Sequence, residues 1–537
     1  MSYKAVILPN MLVIRRSTVD LLSQFKASGG EILVTGMFPE YVDGKPDPDV
    51  INSLKQICRL ITLNELKDVL GTVLPPVFTL EGTDNDLVWT HHRKVANGGI
   101  IQLSNTSRLK STDCRLSFTT PQKNFALWNP EDGSSMKLQP ENDGSIRLHF
   151  DAAKTWLVSY GYASKDASFG KIYQIPGEKT EIIKINGNWK GNRADPNSLI
   201  LDFARYSTDN GETFSDPEPV IGIHQRFRDK RYSGNLLLKY EVQLAEIPPK
   251  TALVIEQPQL YTVTINNKNI NFEGKDSYLD HTLRALDISG TLEPGMNEII
   301  LSLDYVAPEP ANLDAYKRYG TEIESIYLTG DFGVEVVRSA EPLTESQKNR
   351  SGLFVRKPVH SITRFMITGE KDLFNGDLVL QGYPFYSGTF ILKNTFKIND
   401  NPEGNAKRYF ISFPSFEAVV VKVRINEKEF APLLYSPWEV DITDAVIGGD
   451  NQVEIHLTNS LRNLLGPHHH PGGELYGVGP VSFTGNPGWP SNTGGEPDWY
   501  DIRLKGKPRL WSDDYYFIPF GLLEPPVISA LLPDQSD

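Results

Sequence analysis

Aromatic rings set beside carboxylates and amides are the side chains that take hold of sugars: the rings pack on apolar C–H faces and the polar groups read the hydroxyls. The last third of this 537-residue chain gathers such residues. Tyr383, Phe385 and Tyr386 precede a predicted strand, Tyr435 and Trp438 stand in a loop before Asp441, and the segment NPGWPSNTGGEPDWY adds Trp489, Trp499 and Tyr500. Tyr383, Tyr386, Trp438, Trp489 and Trp499 are the candidate carbohydrate-binding residues. Trp489 and Trp499, in a Gly/Pro/Asn-rich loop, are expected to be the most exposed. Any single ring is more often packed over a sandwich edge or a neighbouring domain, because large aromatics are usually buried.

Hydrolysis of a glycoside asks for two carboxyls in different environments, roughly 5 Å apart for retention or roughly 6.5 to 9.5 Å for inversion. Glu322, Glu324, Asp331, Glu474, Asp513 and Asp514 are available among 67 acidic residues. Composition marks no pair, and no catalytic residue is assigned. His468, His469 and His470 with Glu474 offer imidazole and carboxylate to a transition metal. Adjacent histidines in a Pro- and Gly-rich loop do not readily converge, so the expected role is a solvated or partner-contacting surface, and the metal content stays open. No cofactor is expected; sandwich loops leave room for a structural calcium, although no DxDxDG pattern marks one.

The elements that must position these residues include a repeat. Residues 286–303, LDISGTLEPGMNEIILSL, align without a gap with residues 440–457, VDITDAVIGGDNQVEIHL, at an offset of 154. Asp287, Gly295 and Asn297 meet Asp441, Gly449 and Asn451, and the alternation of Ile299, Leu301 and Leu303 meets Val453, Ile455 and Leu457. Gly and Asn are turn residues, and the alternation buries one strand face. Ser233-Gly234 and Ser387-Gly388 keep the same offset, whereas Asn266 and Asn426 differ by 160, so the loops between have been re-cut. Two copies of one β-sandwich are expected, with the recurring aspartates serving turns by taking backbone N–H bonds.

Upstream, AVILPN, a helix with Ser17 as its cap and Gly29-Gly30 at its end, and EILVTG spell a βαβ unit; an amphipathic piece near residues 50–57, the strand LITL and a helix from Asn64 continue it. This is a partial α/β layer of flavodoxin-like (glutamine-amidotransferase-like) type. Parallel sheets need helices on both faces, and one whose first strand starts at residue 5 is expected to begin midway through its domain. From Pro75 the pattern is short strands and turns. The expected fold is multidomain and mainly β: an α/β layer over 1–75, an antiparallel β domain over 76–178, and two jelly-roll or galactose-binding-like sandwiches over 179–340 and 341–537.

Composition excludes some partners. A net charge of −13 with no Lys/Arg cluster argues against nucleic acid. No apolar run approaches the roughly 18 residues a bilayer span needs. Cys58 and Cys114 fall in separate expected domains, so no disulfide is predicted. The N-terminus MSYKAVILPN has no secretory pattern, which leaves a cytosolic chain or a start that lies further upstream.

Several segments in this order resemble the region downstream of the catalytic barrel in α-L-rhamnosidase-like enzymes of glycoside hydrolase family 106: YKAVILPNMLVI with GGEILVTGMFPE, the strands around LWNPEDG, IESIYLTGDFGV, GYPFYSGTF, and LTNSLRNLLGPHH followed by WSDDYYFIPFGL. The repeat is similar to the sugar-binding sandwiches of family 2 glycosidases. The resemblance implies a glycan partner, a (β/α)8 barrel upstream or on a partner chain holding the catalytic carboxylates, and a periplasmic or extracellular location. It carries no catalytic residue onto this chain, because the barrel would precede Met1. The expected function is a non-catalytic, carbohydrate-associated portion of such an enzyme. Two alternatives stand beside it: a glycoside hydrolase complete in this chain, and an adhesion or assembly module without glycan affinity.

Overall fold

Alternation of apolar side chains shapes most of the chain, and the outcome is multidomain and mainly β. The computed structural model describes residues 3–95, 98–161, 171–177, 179–271, 276–307, 320–338, 360–399, 407–466, 468–469 and 513–531. They form two units, Met1–Pro176 and Gly177–Asp537. Among the described residues, no helix is long and apolar enough to cross a membrane.

The first unit opens with three parallel strands, Ala5–Leu8, Glu31–Thr35 and Arg59–Ile61, with Glu31–Thr35 in the middle. Ile32 and Val34 pack with Val19, Leu22, Ile51 and Leu54, while Leu33 packs with Ile61 and Val69. Successive residues of one buried strand therefore serve opposite faces, each covered by helix, as a parallel sheet requires. Ser17 is not a cap: the helix Arg16–Ala27 has already begun there, with Arg15 at its N-cap and no side-chain bond. The next helix, Pro48–Ile57, is capped by Asp47, which accepts the Val50 N–H at 3.2 Å. Two antiparallel sheets follow. Val88–Val95, Gly98–Asn105, Thr155–Tyr160, Ala126–Trp128 and Ser135–Lys137 form the wider one, and Cys114 lies free in the core beneath it.

In the second unit the two segments aligned by sequence take the same backbone register. Ser233–Leu244 pairs with Gly295–Val306 and Thr389–Ile398 with Gly449–Thr458, so that Leu244 meets Gly295 and Ile398 meets Gly449. Asn297 and Asn451 are fully buried and make matching bonds: each carbonyl oxygen accepts a backbone N–H, from Glu293 or Ile447, at 2.8 Å, and an amide from Asn266 or Asn426 at 2.7 or 2.6 Å. Asn266 and Asn426 both have φ +47, the left-handed turn geometry that asparagine tolerates. Asp287 and Asp441 accept the N–H of Ser289 and Thr443, which is the turn role expected of them.

The sheets do not divide at residue 340. Lys179–Lys184 and Asn188–Arg193, assigned by sequence to the first sandwich, pair instead with Val527–Leu531 and Thr389–Ile398 of the second. In the opposite direction, His360–Thr368 pairs with Gly333–Arg338, meets Leu244 of the first sandwich and receives Tyr515–Phe517. The two sandwiches thus exchange edge strands, and one buried apolar cluster runs through both. Exchange covers strand edges that would otherwise stay unpaired.

Candidate functional site

The chain passes from the second sandwich into the first through Ala194, Asp195 and Pro196, between the strands Asn188–Arg193 and Asn197–Leu201. Around this crossing lies a cleft of about 640 Å³, lined by residues of both sandwiches that include Arg193, Asp195, Lys250, Asp276, Tyr278, Asp287, Asp331, Glu370 and Tyr383. Close backbone approaches build its walls. A Cβ at Gly330 would stand 2.1 Å from the Lys250 carbonyl oxygen, and one at Gly388, where φ is +138, 2.0 Å from Asp195 Oδ2. Asn197, fully buried, donates to the carbonyls of Phe332 (2.8 Å) and Gly382 (2.9 Å) and so ties both sandwiches at the back of the crossing.

Arg193 organises the cleft. Its side chain is 9% exposed; Nε donates to Glu370 Oε1 at 2.7 Å, Nη2 to Asp331 Oδ1 at 3.2 Å, and Nη1 to the carbonyls of Asp195 and Gly330, each at 3.3 Å. The Tyr383 hydroxyl donates to the same Glu370 oxygen at 2.9 Å. Burial works against the Arg193 charge, but the hydrogen bond and charge of Glu370 and the hydrogen bond of Asp331 outweigh it and hold the guanidinium above its ordinary value. Burial, reinforced by Glu370, pushes the Tyr383 hydroxyl well up. Asp287 is held below the usual carboxylate range by the hydroxyl and then the backbone N–H of Ser289. Fixed donors and acceptors in a concave space open to solvent are what a polyhydroxylated ligand needs. The two carboxylates on Arg193 share one cation, unlike the separated environments of an acid and a base.

The sequence candidates scatter. Tyr383 lines the cleft. Tyr386 does not: it is fully buried, its hydroxyl donating to the Thr389 carbonyl at 2.7 Å just as Tyr232 donates to Asn235 at 2.6 Å one repeat earlier. It is a core residue of the sandwich design, and its ring offers no face to a ligand. Trp438 is half-buried, edge-on to Phe416 at 4.9 Å. Trp489, Trp499, Tyr500, His470 and Glu474 lie outside the described residues.

Among the carboxylates, Asp331 is in the cleft, Glu322 and Glu324 are exposed on either side of the buried Ile323, and Asp513 and the buried Asp202 border a second cavity of about 310 Å³. His468 and His469 are not on the surface. Both are buried, His468 Nε2 against the Asn463 carbonyl at 2.9 Å and His469 Nε2 against Asp202 Oδ2 at 2.9 Å. Burial pushes the His468 imidazole down to about 4. No group of three His, Cys, Asp or Glu among the described residues is disposed to hold a metal ion. Arg193, Glu370 and Asp202 were missed by sequence reading; the Asp195-Pro196 turn signal after Arg193 was the available signal for the first.

No family model matches the chain. It is 22% identical to a Formosa agariphila protein named "Putative beta-glucuronidase", an alignment over 86% of this chain and 44% of that protein. The chain therefore spans less than half the length of that relative. Among solved structures, a rhamnosidase from Novosphingobium sp. PP1Y matches 98% of this chain and 33% of its own at 13% identity and a TM-score of 0.41. A GH2 β-galacturonidase from Eisenbergiella tayi matches 52% of this chain and 39% of its own at 11% identity and a TM-score of 0.19. The chain is similar to glycoside hydrolases over part of their length.

Proposed function

We propose that this chain is the carbohydrate-associated, non-catalytic portion of an α-L-rhamnosidase-like glycoside hydrolase, and that the cleft at the crossing of its two sandwiches binds or orients a glycan. The barrel that performs hydrolysis would be supplied upstream or by a partner, in a periplasmic or extracellular setting. The observation that carries this reading is the Arg193, Glu370, Asp331 and Tyr383 cluster, which presents rigid hydrogen-bonding groups on both sides of a cleft large enough for a sugar. Both carboxylates are tied to one guanidinium, which suits holding a ligand better than splitting acid and base roles. The similarity to proteins named for glycosidase activity supports the same class.

Calorimetry of the chain with L-rhamnose, galactose and oligosaccharides containing them tests the proposal. Binding that is lost in Arg193→Met and weakened in Tyr383→Phe is expected; heat unchanged by either variant would remove the cleft from the reading, and no heat with any glycan would favour an assembly module. A second reading, a hydrolase complete in this chain, has one observation in its favour. Desolvation, with Glu322 and Glu256 adding to it, pushes Glu324 up to about 7, within the range of a general acid, although its side chain stays open to solvent. Release of sugar from rhamnosyl or galactosyl aryl glycosides, abolished in Glu324→Gln, would establish it.

A further inference from the structure

The five-stranded sheet of the first unit buries one face through Ile101, Leu103 and Val158. Its register dictates what the opposite face carries. Trp89 stands across from Ser104; Gln102 lies on the next row, which runs through Leu157 to Trp128; Arg93 and Lys137 close the two ends of the third. Trp89 is 71% exposed. Of the five described tryptophans it is the exposed one, since Trp189 is buried and Trp128, Trp156 and Trp438 are half-buried. An indole left in water beside the Ser104 hydroxyl and the Gln102 amide is an unspent apolar surface with hydrogen-bonding groups at its side.

Charge points the same way. The five strands contain no aspartate or glutamate, in a chain that has 67 of them and a net charge of −13. Among the described residues, neither Arg93 nor Lys137 has an ion-pair partner. The two cations lie four strand spacings apart, about 19 Å at the usual interval between strands. Ala126, in the row between Arg93 and Lys137, is buried, and Glu131 and Asp132 stand in the hairpin before Ser135, so the open part of the face is the Trp89, His91 and Arg93 strand and the Lys137 edge; cations exposed there on an acidic protein attract an anion.

We propose that this outer face binds a polysaccharide carrying uronate carboxylates, with one sugar ring stacked on Trp89 and carboxylates of the chain meeting Arg93 and Lys137. Two single cations about 19 Å apart can meet isolated carboxylates several sugars apart on one chain; a densely sulfated chain calls for clustered Lys and Arg. The guanidinium fork of Arg93 suits a planar carboxylate. This site is built by other residues than the inter-sandwich cleft and does not depend on it.

Affinity electrophoresis of the full chain in gels containing polygalacturonate, amylose or carrageenan tests the idea. Retardation by polygalacturonate is expected, with little by amylose. Trp89→Ala should weaken it about tenfold, and Arg93→Gln with Lys137→Gln should weaken it and flatten its salt dependence; all three positions are exposed, so circular dichroism should match the parent. Retention of full retardation in Trp89→Ala overturns the site, equal retardation in amylose overturns the role of charge, and stronger retardation in carrageenan overturns the carboxylate assignment.

Discussion

Two carboxylates of the second unit are each bridged by a nitrogen group and a tyrosine hydroxyl, and they differ chiefly in water. Asp202 accepts from His469 Nε2 at 2.9 Å and from the Tyr515 hydroxyl, with all three residues buried. Glu370 accepts from Arg193 Nε at 2.7 Å and from the Tyr383 hydroxyl at 2.9 Å, but its side chain is 41% exposed and opens on the cleft. The buried trio fastens His469 and Tyr515 to the first sandwich, with only the edges of Asp202 and Tyr515 reaching the smaller cavity. The open trio has the same chemistry with water as its competitor, which is the condition for a ligand hydroxyl to take part. Similar polar clusters therefore divide into a fastening and a candidate binding site by how far the carboxylate is exposed.

The comparison is sharpest when Asp202 is removed. Asp202→Ala takes from His469 and Tyr515 the carboxylate they share in a buried setting and should cost about 3 to 5 kcal/mol; a urea midpoint close to that of the parent would mean that the buried trio holds little. Acid should be next in effect. His468 titrates at about 4 in the folded chain against 6.5 ordinarily, so the unfolded chain binds the extra proton. Its contribution is complete above about pH 6.5 and fades as pH falls to about 4, by roughly 3 kcal/mol in all. Urea titrations at pH 7 and 4.5 read this directly, and a flat profile would contradict the burial of His468.

The matching bonds of Asn297 and Asn451 allow a matched pair. Asn297→Ala and Asn451→Ala should each cost about 2 kcal/mol by stranding a backbone N–H and a partner amide, with calorimetric melting losses of similar size; a large loss in one alone would break the equivalence of the copies. The smallest effect belongs to the open site. Tyr383→Phe removes one hydrogen bond to Glu370 and should cost about 1 kcal/mol of stability while weakening glycan binding. A loss as large as that of Asp202→Ala would make Tyr383 part of the fastening.

Much of the architecture was legible. Gly295 and Gly449, with φ +97 and +96, and the asparagines beside them have strong local preferences, so offset 154 in sequence became equal register in the sheets. The α/β start was legible for the same reason, apart from the misplaced Ser17 cap. Burial of individual polar and aromatic residues was not. Tyr386 and His468 carry the same side chains in a core as on a surface, and only their neighbours decide which; the sequence reading put His468 on a surface loop and Tyr386 among ligand contacts, whereas both lie inside.

What the sequence determined by itself was whatever rests on neighbours in the chain: strand alternation, turn geometry, the repeat, and the acid-poor strands around Trp89. Only the tertiary structure decided which strands each sandwich would own and that Arg193 would meet Glu370, Asp331 and Tyr383. Arg193 and Tyr383 are 190 positions apart. No periodicity links such residues; they meet because the edge strands exchange between sandwiches, and that exchange is settled by the packing of a shared core.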